Sequence, residues 1–264
     1  MEKLREEIDI VMDGVRKAIL AHEENHRTSG LPPKGRAPLG TAMSAVRSYS
    51  TLVTSAYEKL EKLRLDDTMF PEGKKRMMQE LLTDAEQKTE DKQRSADNNA
   101  VVARASFITA AFPALSKNRE AIAREDARMI LDASKDPDVR LGQLALRQDD
   151  VGALVVTQWG RDYLESRGLG EHEIRATQEL VIGHALNGAA DQSGDRERSA
   201  AARGAMAAQS VIGLNDAAAG AVRGLFASMR DYYHVPREEY PVPRDPRRPA
   251  APQVFGDDVE PMSF

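Results

Sequence analysis

The sequence predicts an all-α protein with a long helical hairpin, an Ala/Gly-rich helical bundle and an extended Pro-rich C-terminal arm. Three observations carry this. Apolar residues recur at spacings of three and four over long segments, and no stretch alternates as a strand would. No proline interrupts residues 72 to 112, so one helix there can run about 60 Å at 1.5 Å per residue. The chain holds only 13 aromatic residues among 264 and is rich in alanine and glycine. Its apolar surface is thus spread over small side chains, which stabilise only through many close helix contacts at about 25 cal/mol per Å².

Residues 1–27 read as an amphipathic helix, with Leu4, Ile8, Val11, Val15, Ile19 and His22 along one stripe. Residues 28–40, TSGLPPKGRAPLG, hold three prolines and three glycines and read as a linker, because both residue types interrupt helices. Residues 41–112 read as the hairpin. Thr41 is a plausible N-cap, and Val46, Tyr49, Val53, Tyr57, Leu60 and Leu63 form one face. Asp66 and Asp67 signal a stop. Pro71 then suits the first turn of a second helix, where its missing N–H costs nothing, and Glu72 suits the positive end of the helix dipole.

In that second limb Met77, Met78, Leu81, Leu82 and Ala85 are apolar at the start, and Val101, Val102, Ala105, Ile108 and Phe112 at the end. The stretch from Asp84 to Asn99 is polar nearly all round. Ala85, Thr89, Ala96 and Ala100 leave a seam of small residues in it, read here as surface reserved for another helix, including one from a second copy.

Residues 113–235 read as a helical bundle. One helix opens at Ser116 and Glu120, continues through Ala121, Ile122, Met129 and Ile130, and ends near Asp136 and Pro137. A second spans Asp149 to Arg167, with Leu154, Val155, Trp159 and Tyr163 on its buried face, and is stopped by Gly168 and Gly170. The segments Glu171 to Ala190 and Arg196 to Tyr233 follow. Gly183, Gly204, Gly213, Gly220 and Gly224 lie inside them, each costing about 1 kcal/mol against alanine, which suggests close helix approach as the offset. Residues 236–264 hold seven of the 13 prolines in 29 residues and read as an extended arm.

Charge and composition narrow the function. Thirty-seven Lys and Arg against 42 Asp and Glu give a net charge of -5, which disfavours a surface devoted to nucleic acid. The chain has no cysteine, which removes disulfides, thiolate metal ligands and cysteine nucleophiles together. The start, MEKLREEIDI, reads as charged helix and not as a secretory signal. The longest strongly apolar run is far below the roughly 20 residues a membrane span needs, and Arg203, Asp216, Arg223 and Arg230 argue against reading the Ala/Gly segments as membrane helices. The expected location is the cytoplasm during synthesis.

Chemistry-bearing motifs are sparse. His22-Glu23-Glu24-Asn25-His26 fits H-E-x-x-H, which puts two imidazoles on one helix face with Glu23 beside them, the arrangement of a zinc hydrolase. Only 21 residues precede it, and the longer form with a third histidine is not in register, so two histidines on a fraying helix end is the plainer reading. His184 and His234 stand alone as structural residues. Neither a phosphate-cradling G-x-x-x-x-G-K-[ST] loop nor a G-x-S-x-G elbow occurs. No catalytic residue and no cofactor is expected.

Helices with small-residue seams and two extended segments give the chain a manner that resembles helical structural proteins of bacteriophage virions and head assembly. The resemblance lies in the style of the whole chain and not in a single motif. It implies a non-enzymatic structural protein of a multi-subunit particle, bound to other protein subunits as a homo- or hetero-oligomer and assembled into a virion. The expected contact residues are Tyr232, Tyr233, Tyr240, Phe255 and Phe264, with Ala85, Thr89 and Ala96 in the seam. A zinc hydrolase using His22, His26 and Glu23 is the alternative, and a nucleic-acid-contacting accessory protein is a weaker one.

Overall fold

A computed structural model describes residues 2–26, 30–112, 115–133, 137–147, 150, 154 and 157–236. Among these residues there are eight helices and no strand: α1 (Glu2–Asn25), α2 (Pro33–Leu65), α3 (Pro71–Ala111), α4 (Lys117–Ala133), α5 (Pro137–Leu146), α6 (Gln158–Ser166), α7 (Glu171–Gln192) and α8 (Arg196–Tyr232). The all-α class stands. The arm from 237 to 264 lies outside the described residues, as do Tyr240, Phe255 and Phe264. No described helix is long and apolar enough to cross a membrane.

The main core belongs to three long helices. α2, α3 and α8 have 33, 41 and 37 residues, so they extend about 50 to 60 Å at 1.5 Å per residue, and each packs against the other two. α1 lies on α8 and α2 through Leu4, Ile8, Met12, Val15 and Ile19, all buried. A second cluster gathers Ala123 and Ala127 of α4, Ala145 of α5, Leu154, Leu164 of α6, and Ile174, Val181 and Ala185 of α7. Phe112 touches both clusters. Among the described residues α8 packs with the hairpin, and the smaller cluster draws on α4, α5, α6 and α7.

The hairpin turns where the sequence places it. α2 ends at Leu65, Asp66 accepts hydrogen bonds from Thr68 N–H at 2.9 Å and Thr68 Oγ1 at 2.6 Å, and Pro71 opens α3. The linker expected over 28–40 is corrected, because α2 already begins at Pro33 and runs through Pro38. Pro33 at the first turn gives up no hydrogen bond. Beyond it, Leu39, Ala42 and Met43 are buried in the main core, and that burial outweighs the breaking tendency of Gly35, Pro38 and Gly40.

The seam on α3 has a different occupant from the one expected. Ala85, Thr89, Ala96 and Ala100 are buried, and the row continues through Ala103, Phe107 and Ala111, not through Val101 and Val102, which are 55% and 53% exposed. Spacings of four and three along this row make a coiled-coil-like stripe, and α8 of the same chain fills it together with α2. The seam is thus closed within one molecule and is not free for a second copy.

The polar middle of α3 is the counterpart of polar groups on α8. Buried Asn215 accepts from Tyr49 Oη at 2.7 Å and donates through Nδ2 to Asp97 Oδ1 at 2.7 Å and to the Gln93 carbonyl at 3.1 Å, joining α2, α3 and α8 at one level. Burial, and after it the Asp97 carboxylate, hold the Tyr49 phenol well above its ordinary pKa, so it remains a donor. Gln93 also donates to Asp216 and accepts from Arg223 at 2.6 Å. Such fully satisfied contacts fix which residues of neighbouring helices face each other.

Glycines do not all serve close approach. A Cβ at Gly35 or Gly204 would fall 2.5 or 2.9 Å from the Phe107 ring, and one at Gly188 would fall 2.1 Å from the Leu146 carbonyl oxygen. At Gly183, Gly213, Gly220 and Gly224 it would meet nothing within 4 Å. The expectation of close approach at those four is corrected.

The helix expected as one piece over 149–167 is interrupted at Thr157, with Asp150 and Leu154 helical before the break. Thr157 has an extended backbone (ψ 172°) and its hydroxyl bonds the Leu154 carbonyl, so the regular helix begins at Gln158. Trp159 and Tyr163 are half-buried and stack with ring centroids 5.2 Å apart. Val155 lies outside the described residues.

Candidate functional site

The stripe that seats α1 ends on His22, which is why a histidine is buried there at 8% exposure. Its Nδ1 lies 3.2 Å from Ser210 Oγ on α8. One turn on, the His26 ring is 4.8 Å from that of His22. Across from them α2 presents Arg36, Leu39, Gly40, Met43 and Arg47, spaced along one helical face. Together with His22, Glu23 and His26 these residues line an open groove of about 320 Å³.

Charge in the groove is unevenly committed. Arg47 donates to Glu23 through Nε at 3.1 Å and through Nη2, so the one carboxylate lining the groove among the described residues is already paired. The Arg36 guanidinium has no hydrogen bond or ion pair among the described residues. Burial, followed by the nearby His26, holds the His22 imidazole below its ordinary pKa, and burial does the same to His26. Both are therefore neutral near pH 7.

The two imidazoles of the H-E-x-x-H motif do converge. Catalytic zinc commonly uses three protein ligands, and among the described residues no cluster of three His, Cys, Asp or Glu stands together. Glu23 is held by Arg47 instead of standing free beside the histidines.

A neighbouring groove of about 210 Å³ runs along α1, lined by Met12, Val15, Ile19 and Leu20 together with Arg16 and Ser50. It shares Glu23 and Arg47 with the first. The Glu23–Arg47 ion pair lies between the two grooves.

No family model, curated protein or solved structure matches this chain. Its site must be read from its own residues.

The expected contact residues separate. Tyr233 turns inward: its hydroxyl donates to Glu61 Oε1 on α2, and burial and that carboxylate raise its pKa. It is a fastening between α8 and α2 and not a free anchor. Tyr232, edge-on to it at 4.9 Å, is 37% exposed. Ala85, Thr89 and Ala96 are consumed by the internal seam.

Sequence reading missed two sets of residues. Arg36 and Arg47 share a face only once 33–40 is recognised as helix, and the offsets of four, seven and eleven from Arg36 to Gly40, Met43 and Arg47 were the available signal. Leu65 and Phe70 flank the hairpin turn at 64% and 86% exposure. An isolated Phe in a turn has no periodicity to mark it.

Proposed function

We propose that this chain is a non-enzymatic assembly component of a multi-subunit particle, in the manner of helical virion proteins, and that it associates with further copies of itself. The observation that carries the reading is the free end of the hairpin. Three long helices locked by internal polar contacts make a stiff strut, and its turn holds Phe70 at 86% exposure beside Leu65 at 64%. An exposed aromatic ring at a helical turn is well suited to a pocket on a neighbour, since it gives large contact area at little entropic cost. The segment 236–264, with Tyr240, Phe255 and Phe264, is the second contact in this proposal, an arm laid on a neighbouring subunit.

Sedimentation of the full chain over a range of concentrations tests it. The parent chain is expected to associate, and Phe70→Ser to weaken association by roughly tenfold or more, the equivalent of the ~1.5–3 kcal/mol of a buried Phe side chain. Its melting should move by less than about 0.5 kcal/mol, as for an exposed site. Truncation after Pro236 should likewise weaken association and leave helical circular dichroism unchanged. A parent chain that stays monomeric at all concentrations, or a Phe70→Ser chain that associates as the parent does, contradicts the proposal.

A further inference from the structure

We infer that the groove between the end of α1 and the start of α2 binds a small phosphate-type oxyanion, held by Arg36 with His26 at its side. This does not depend on the assembly reading, since it concerns a concave site away from the hairpin turn.

The groove carries more donors than its own acceptor can use. Arg47 directs Nε and Nη2 to Glu23, and Arg36 directs its guanidinium to no protein acceptor among the described residues. With one carboxylate against two guanidinium groups, the lining keeps a net positive charge in a chain whose overall charge is -5. A guanidinium fork matches the paired oxygens of phosphate or sulfate and is the residue type suited to that recognition. At about 320 Å³ the groove sits at the low end of the ~300–1,000 Å³ of small-molecule sites. That size suits a small anion or a single headgroup. The neighbouring groove beyond the Glu23–Arg47 pair offers a place for a short alkyl chain attached to it.

The histidines give the site a signature. Facing them are Glu23 and each other on α1, Arg36 and Arg47 from α2, and the Ser210 hydroxyl from α8. Both imidazoles are neutral near pH 7, and a bound dianion favours their protonated forms, so anion affinity rises as pH falls through the range where they titrate.

Calorimetric titration of the full chain tests the site with three probes at fixed ionic strength: inorganic phosphate, sulfate and hexyl phosphate. Sulfate keeps its charge across the pH range and isolates the protein's protons. Sulfate is expected to bind more tightly at pH 5.5 than at pH 7.5. Arg36→Gln is expected to weaken every probe by about tenfold or more, the loss of one charge-assisted hydrogen bond. His26→Gln should flatten the pH dependence. Arg36 is exposed, so its variant should melt as the parent does. Tighter binding of hexyl phosphate than of phosphate identifies an amphiphile's headgroup as the natural anion, and equal binding identifies a free oxyanion. Absence of binding by all three probes, or binding unchanged in Arg36→Gln, overturns the site.

Discussion

Phe107→Ala is expected to lower the unfolding free energy by about 3–5 kcal/mol, the range for emptying a fully buried aromatic position. The ring is completely buried, and it lies between glycines of the other two long helices. A Cβ at Gly35 of α2 would come within 2.5 Å of it and one at Gly204 of α8 within 2.9 Å. The three helices therefore meet on this one side chain, and neither neighbour can fill the space left by its removal. For the same reason the ring cannot retreat from an added methyl group, since a glycine backbone closes each side. Gly204→Ala should thus destabilise, whereas an alanine at an exposed helical glycine ordinarily stabilises by up to about 1 kcal/mol. Urea unfolding of the two variants against the parent checks both signs.

Arg230→Ala is expected to cost about 2–4 kcal/mol. Arg230 is 5% exposed and meets Glu86 of α3 through Nε and Nη2, each at 2.9 Å. It also donates to Thr83 Oγ1 and to the Pro236 carbonyl, both at 3.2 Å, so it fastens the end of α8 to α3 and to the segment that leaves it. Removing one partner of a buried pair strands the other, at about 3–5 kcal/mol when burial is complete. The Glu86 side chain is 25% exposed and recovers some hydration, which lowers the expectation. Replacing both partners, as Arg230→Met with Glu86→Gln, should recover much of the loss. High salt should change the parent's stability little through this pair, because buried charges are weakly screened. Thermal unfolding of the single and double variants, with and without salt, separates these outcomes.

The class of the fold was legible because periodicity survives even where residues are small. The hairpin turn was legible for a local reason, since Asp66, Asp67, Pro71 and Glu72 are end signals whose chemistry acts within one turn of helix. What failed was tertiary in origin. Pro33, Gly35 and Pro38 look like breakers, yet Pro33 sits at the one helical position that tolerates it and Gly35 is needed so that Phe107 can approach. Val101 and Val102 are more apolar than Ala100 and Ala103, and so drew the predicted face to the wrong side of α3. The buried side follows the row of small residues, because α8 must come close enough for Asn215 to reach Asp97. The polar middle of α3 was rightly read as a place for a partner helix. Which helix fills it depends on contacts more than a hundred residues apart in sequence, and no local pattern encodes them.

The site was half legible for the same reason. His22, Glu23 and His26 form a short motif visible on one helix, and their histidines do converge. Arg36, whose guanidinium gives the groove its uncommitted charge, comes from a helix start hidden by its own prolines. Tyr233 was expected to be a contact residue, but Glu61 of α2 accepts its hydroxyl and turns it inward.

α8 closes the α3 seam within a single chain. Spin labels on cysteines placed at Gln93 and Arg223, whose side chains touch at 2.6 Å, test it directly in a chain that has no cysteine of its own. Strong dipolar broadening that persists when the labelled chain is refolded with a large excess of unlabelled chain is the predicted result. Broadening that disappears on such dilution would show the seam filled by another copy and not by α8 of the same chain.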